Sequence, residues 1–104
     1  MSALAYDFSV IMPIYDREDI VLRFPLALES VYINTIRPSE VIIVVDGPVS
    51  ERFRSIIEFQ KSKYDLTIIY TKERVGLDRA LNIAIKESRN NFIFRADGDD
   101  LNKK

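Results

Sequence analysis

The chain has 104 residues, enough for one compact domain, or part of one, and too few for two. Apolar residues make up 47% and charged residues 30%, an ordinary globular mixture, and the net charge of −1 gives no general pull toward nucleic acid or an anionic membrane. Histidine and cysteine are both absent, which excludes Ser-His-Asp and Cys-His nucleophilic schemes, disulfides and His-ligated zinc within this segment.

The chemistry therefore falls to carboxylates, hydroxyls, backbone groups, arginine and lysine. No apolar stretch approaches the ~20 residues that span a bilayer, and the first residues lack the basic start and apolar stretch of a signal peptide. The expected location is the cytoplasm, with a peripheral position at the inner face of the membrane as an option.

In chain order, Phe8–Ile14 is a short apolar run ending near Pro13 and reads as a buried strand. Ile20, Phe24, Ala27/Leu28 and Val31 form a helical stripe within 16–34. Pro25 means that this helix either starts near Phe24 or kinks there. Glu40–Val45 is β-branched and almost wholly apolar, so it reads as a central strand buried on both faces. Asp46-Gly47-Pro48 is a turn, and Ser50 is a suitable N-cap for a helix reaching about Ser62, with Phe53, Ile56/Ile57 and Gln60 on its inner face.

Leu66–Tyr70 is a third strand, and Leu77–Ser88 a third helix burying Leu81, Ala84 and Ile85. Asn91–Ala96 is a fourth strand, followed by Asp97-Gly98-Asp99-Asp100. Strands alternating with helices predict an α/β fold with a parallel sheet, helices on both faces and right-handed crossovers. Ligands in such sheets bind beyond the carboxyl ends of the strands, which singles out 13–16, 46–48 and 97–100.

Asp97 and Asp99 stand two apart, so in extended chain their carboxylates project to one side, and Gly98 permits a sharp turn. Hard oxygen donors of this kind suit magnesium or manganese with a substrate phosphate, although a solvated acidic turn has the same composition. Asp46 can accept an N–H from a nucleobase or can shape its own turn through an Asx bond. Tyr15 can stack on a base or serve as an edge aromatic, and Asp16 reads as a helix cap. Arg79 lies in the first turn of the third helix, where its forked donors suit phosphate, and Asn82 reads as bonding to a neighbouring loop. Arg95, inside what reads as a central strand, calls for a carboxylate partner.

Four segments in order resemble the inverting family 2 glycosyltransferases of the GT-A fold, over residues 8–101. Phe8-Ser-Val-Ile-Met-Pro-Ile-Tyr15 is similar to that family's first strand, with Asp16 in place of the usual asparagine. Glu29-Ser30-Val31 and Pro38–Pro48 resemble its leu-glu-ser-ile … pro-x-glu-ile-ile-ile-val-x-asp-gly pattern, with Asp46 as the second of the usual two aspartates. Gly76-Leu-Asp-Arg-Ala-Leu-Asn82 and Phe92–Asp100 resemble the helix start and the Asp-x-Asp loop. The departures are the single aspartate before Gly47 and the end of the chain four residues after Asp100.

The resemblance implies one unit over residues 1–104, the three-layer, parallel-sheet, nucleotide-binding half of a truncated GT-A fold. It implies nucleotide contacts by Pro13, Tyr15, Asp46, Arg79 and Asp97, and a divalent metal, Mn2+ or Mg2+, on Asp99. The implied donor is a nucleoside-diphosphate sugar, most often UDP-linked. The acceptor would be a saccharide or lipid-linked sugar of bacterial polysaccharide synthesis, with no nucleic-acid partner. Inverting displacement needs a general base, and no residue here can be assigned that role. The chain alone is expected to bind nucleotide weakly and to transfer nothing, and to self-associate through apolar sheet surface left uncovered. Alternatives are a binding or scaffold module without catalysis and a sugar nucleotidyltransferase. A Rossmann dehydrogenase would need a glycine-rich first turn that Met12–Tyr15 lacks.

Overall fold

The computed structural model describes residues 7–33 and 38–96. Its elements run β1 (Phe8–Ile14), α1 (Glu18–Ile33), β2 (Glu40–Val45), α2 (Glu51–Lys63), β3 (Leu66–Tyr70), α3 (Leu77–Glu87) and β4 (Phe92–Arg95). The four strands form one parallel sheet in the order β3-β2-β1-β4. The chain first builds outward from β1 to β2 to β3, then returns through α3 to place β4 on the other side of β1.

That reversal distributes the helices. Alternate residues of each strand face opposite sides, so Val10, Met12 and Ile14 with Val41, Ile43 and Val45 pack under α1 and α2. Ile11, Ile42 and Val44 face the other way, against Ala80 and Ala84 of α3. Every residue of β2 is buried, as its unbroken apolar run requires. On the α1/α2 side, Phe24 and Phe53 meet edge to face with ring centroids 6.2 Å apart, and both are fully buried.

Helix α2 begins as its sequence dictates: Ser50 is the N-cap, and its Oγ accepts the Phe53 N–H at 3.1 Å. Three sequence expectations are corrected, and the alternative left open at Pro25 is decided. Helix α1 starts at Glu18 and continues through Pro25, because a buried stripe on both sides of the proline outweighs one missing backbone bond. Helix α3 buries Ala80 and Ala84 rather than Ile85, which is 45% exposed; small side chains bring the helix close to the sheet, and Leu81 is left half-buried. β4 is an edge strand, so Arg95 is exposed, not central. Asn82 is exposed and makes no hydrogen bond among the described residues.

At the amino ends of the strands, a polar cluster ties the α3–β4 turn to the base of the sheet. The buried Glu40 carboxylate accepts from Ser9 Oγ at 2.7 Å, the Arg89 N–H at 3.0 Å and Arg89 Nε at 3.2 Å. Asn90 Nδ2 donates to Ser9 Oγ and Ser39 Oγ, both at 2.9 Å. β4 is held to β1 in register from Phe8↔Phe92 to Ile11↔Arg95, and the Ala96 N–H is bonded to Ile11 O at 2.8 Å.

Candidate functional site

At the carboxyl ends of β1, β2 and β3, three connections meet. β2 ends on Asp46, whose N–H extends the ladder to Ile14 O at 2.8 Å. Gly47 follows with φ +96°, a left-handed conformation that favours glycine. The Asp46 carboxylate, only 5% exposed, leaves its own turn and crosses to the loop between β3 and α3. Oδ1 accepts the Val75 N–H at 2.8 Å, and Oδ2 accepts the Gly76 N–H at 3.1 Å and Arg74 Nε at 3.1 Å. Asp46 is therefore not an Asx-turn former. It is a buried carboxylate satisfied by two backbone amides and one guanidinium, and these offset the cost of burying its charge.

Arg74 is the residue that sequence reading passed over in favour of Arg79. Its stem lies across Gly47 so closely that a Cβ there would sit 2.7 Å from Arg74 Cδ. Its guanidinium stacks 4.0 Å above the Tyr15 ring centroid, a cation–π geometry. Only Nε is committed to Asp46, and the terminal nitrogens have no hydrogen-bond partner among the described residues. The signal available in sequence was its place in the loop after β3, next to the glycine at 76. What sequence lacked was the adjacency of β3 to β2.

The predicted site residues divide accordingly. Tyr15 and Asp46 are brought together through Arg74. Pro13 is part of β1, half-buried, and pairs in register with Val44. Arg79 is exposed in the first turn of α3, and no hydrogen bond or ion pair joins it to this cluster among the described residues. Asp97 and Asp99 lie outside the described residues. Asp16 is not a cap of α1: its Oδ2 accepts the Ser50 N–H at 2.7 Å and ties the end of β1 to the start of α2. Arg17 donates to Tyr15 Oη and to both oxygens of Asp19, so Tyr15 is flanked by two guanidinium groups. That pairing holds the exposed Asp19 carboxyl below its ordinary value, chiefly through the Arg17 hydrogen bond.

Chemically, the cluster offers an aromatic face, a pinned guanidinium with free donors and a glycine turn that allows close approach. Such a set suits a planar ring carrying carbonyl acceptors. It contains no metal centre: among the described residues, no group of three or more carboxylate, histidine or cysteine side chains could hold an ion.

Residues 9–104 match the model of the glycosyl transferase family 2. The chain belongs to that family. It is 36% identical over 96 residues to the UDP-Gal:α-D-GlcNAc-diphosphoundecaprenol β-1,3-galactosyltransferase of Escherichia coli, a match covering 92% of this chain and 34% of that one. It is 31% identical over 94 residues to the amylovoran biosynthesis glycosyltransferase AmsE of Erwinia amylovora, covering 90% of this chain and 35% of that one. The chain thus spans about a third of the length of these curated relatives. Among solved structures, the mannosyltransferase PcManGT of Pyrobaculum calidifontis, in complex with GDP-Man and Mn2+, superposes with a TM-score of 0.78 at 22% identity, over 93% of this chain and 28% of that one. The shared fold is the GT-A arrangement that the family resemblance implied. No helix among the described residues is long and apolar enough to cross a membrane.

Proposed function

We propose that this family 2 chain forms the donor-binding half of an inverting glycosyltransferase that uses a UDP-linked sugar and a divalent cation. The whole protein would transfer the sugar to a saccharide or lipid-linked acceptor in polysaccharide synthesis, working in the cytoplasm at the inner face of the membrane. The observation that carries this reading is the Asp46–Arg74–Tyr15 cluster at the carboxyl ends of the strands, where α/β sheets bind ligands. The printed name of the 36% identical relative, which uses UDP-Gal and a lipid-diphosphate-linked acceptor, supports the choice of base and acceptor class.

In this reading the uracil ring lies against Tyr15 and Arg74. A terminal nitrogen of Arg74 donates to a ring carbonyl, and a remaining lone pair of Asp46 accepts the ring N–H. Pro13 closes one side of the base. Arg79, exposed near the same edge, serves the phosphates. Asp97 would face the nucleotide and Asp99 would hold the cation, Mn2+ or Mg2+, whose chemistry there is neutralisation of the diphosphate leaving group. Manganese accompanies the sugar nucleotide in the mannosyltransferase complex, whose likeness to this chain is one of fold. The general base belongs to the part of the relatives' length that this chain does not span.

Titration calorimetry of the chain with UDP, with and without Mn2+, tests the reading. Binding strengthened by Mn2+ and losing that gain in Asp99→Ala supports it. Equal binding in Asp99→Ala would remove Asp99 as the metal anchor, and absence of binding to UDP, GDP and TDP alike would leave a scaffold module instead.

A further inference from the structure

We propose that Thr71 is a positioning residue of the nucleotide site: its hydroxyl locks the loop that carries Arg74 onto the Asp46–Gly47 turn. The inference rests on the reading of the Asp46–Arg74–Tyr15 cluster as the place where the donor's base binds.

Thr71 immediately follows β3, and its Oγ1 is a junction between three backbone segments. It accepts the Gly47 N–H at 2.7 Å. It has one proton to give, and the Glu73 carbonyl at 2.9 Å takes it; Asp46 Oδ1 at 3.4 Å and Val45 O at 3.5 Å are more distant. The hydroxyl is thus a donor to one side of the site and an acceptor to the other. Glu73 directly precedes Arg74, so fixing the Glu73 carbonyl orients the peptide from which Arg74 departs.

The fold does not need this hydroxyl to hold β3. Thr71 is joined to β2 through its backbone, by its N–H on Val45 O at 3.0 Å, and β3 pairs with β2 from Leu66 to Tyr70. The side chain does something else. Arg74 is 53% exposed and belongs to no helix or strand, yet it must keep its guanidinium 4.0 Å over Tyr15. Asp46 holds the loop at Arg74 Nε and, on the far side of Arg74, at the Val75 and Gly76 N–H groups, so the near side, before Arg74, needs a hold of its own. Thr71 supplies that second point of attachment, and it also satisfies the N–H of the buried Gly47, which has no other partner among the described residues.

Thr71→Val keeps the β-branched shape and deletes the hydroxyl; Thr71→Ser keeps the hydroxyl; Thr71→Ala is a second deletion should the valine variant fail to fold. On the 104-residue chain, UDP titration should show Kd raised about tenfold in the valine and alanine variants, the scale of one lost hydrogen bond. The serine variant should remain within about twofold of the original. Amide and side-chain hydrogen exchange should show Gly47 N–H and Arg74 Nε–H exchanging faster in the deletion variants alone. A serine variant as weak as the valine one overturns the proposal, because the hydroxyl would then not be the cause. So does unchanged UDP binding or unchanged exchange in a folded deletion variant. If the unsubstituted chain binds no nucleotide, the reading of the cluster fails and the positioning role falls with it; if it binds and the deletion variants bind equally, Thr71 alone is removed.

Discussion

Two buried carboxylates cap opposite ends of β2, and each accepts hydrogen bonds from backbone amides and a guanidinium. Glu40, at the amino end, feels burial first, which raises its pKa; hydrogen bonds from Ser9, the Arg89 N–H and the Arg89 side chain more than offset that, so its carboxyl titrates below the usual value of 4.5. The sign follows directly. A folded-state pKa below the unfolded one gives stability that is complete above the unfolded value and is lost as pH falls through the folded one. Melting temperature followed from pH 6 to pH 3 should therefore drop in the native chain, and Glu40→Gln should flatten part of that limb. At the carboxyl end, Asp46→Asn keeps one accepting oxygen and turns the other into an amide donor facing N–H groups. We expect a loss of about 1–3 kcal/mol in urea unfolding, together with loss of UDP binding. Sequence identified Asp46 as the residue at the strand tip. It did not identify Arg74 as its partner, because the two are 28 residues apart and meet only through strand order.

At the scale of elements, α1 shows how packing overrides local preference. Pro25 cannot donate to Val21 O, yet Val21, Phe24, Ala27 and Leu28 around it are buried at 3% exposure or less, and that burial carries the helix through. Pro25→Ala should restore the missing bond and raise stability by about 1–3 kcal/mol in chemical denaturation. Phe53→Ala should do the opposite. It would remove one ring of the edge-to-face pair and leave a cavity under α2, costing about 3–5 kcal/mol. Six of the seven elements were legible to within a residue or two, because alternation in the strands and the stripe in α2 are local properties. The start of α1 was left open between a helix through Pro25 and one beginning near Phe24, because proline suits a first turn and only the core decides between the two. The buried face of α3 was legible in part: Ala84 is buried and Leu81 half-buried as their spacing implied, but Ala80 was missed and Ile85 is exposed, because a close helix–sheet approach selects small side chains.

For the whole molecule, the decisive feature is the return of the chain through α3. It puts β4 on the far side of β1 from β2, with the Ala96 N–H bonded to Ile11 O. Among the described residues it also leaves β4 at the edge of the sheet, and Phe92 and Phe94 are 60% and 58% exposed, with Phe8 meeting Phe94 edge to face. Exposed apolar residues on an open strand edge favour association. Sedimentation of the chain at rising concentration should show self-association, and Phe92→Thr with Phe94→Thr should shift it toward monomer; an unchanged profile would mean that this edge is not the contact.

The sequence by itself determined the alternation of strands and helices, the doubly buried β2, the Ser50 cap and the family, since each depends on residue type at short spacing. It also placed Tyr15 and Asp46 at strand ends. Only the tertiary structure decided that β3 lies against β2, and hence that Asp46 reaches Arg74, Val75 and Gly76 while Arg79 stands apart in α3. The physical reason is that a buried carboxylate takes its partners from whichever loop the strand order brings alongside, and strand order is set by burial across the whole sheet, not by the residues on either side of the aspartate.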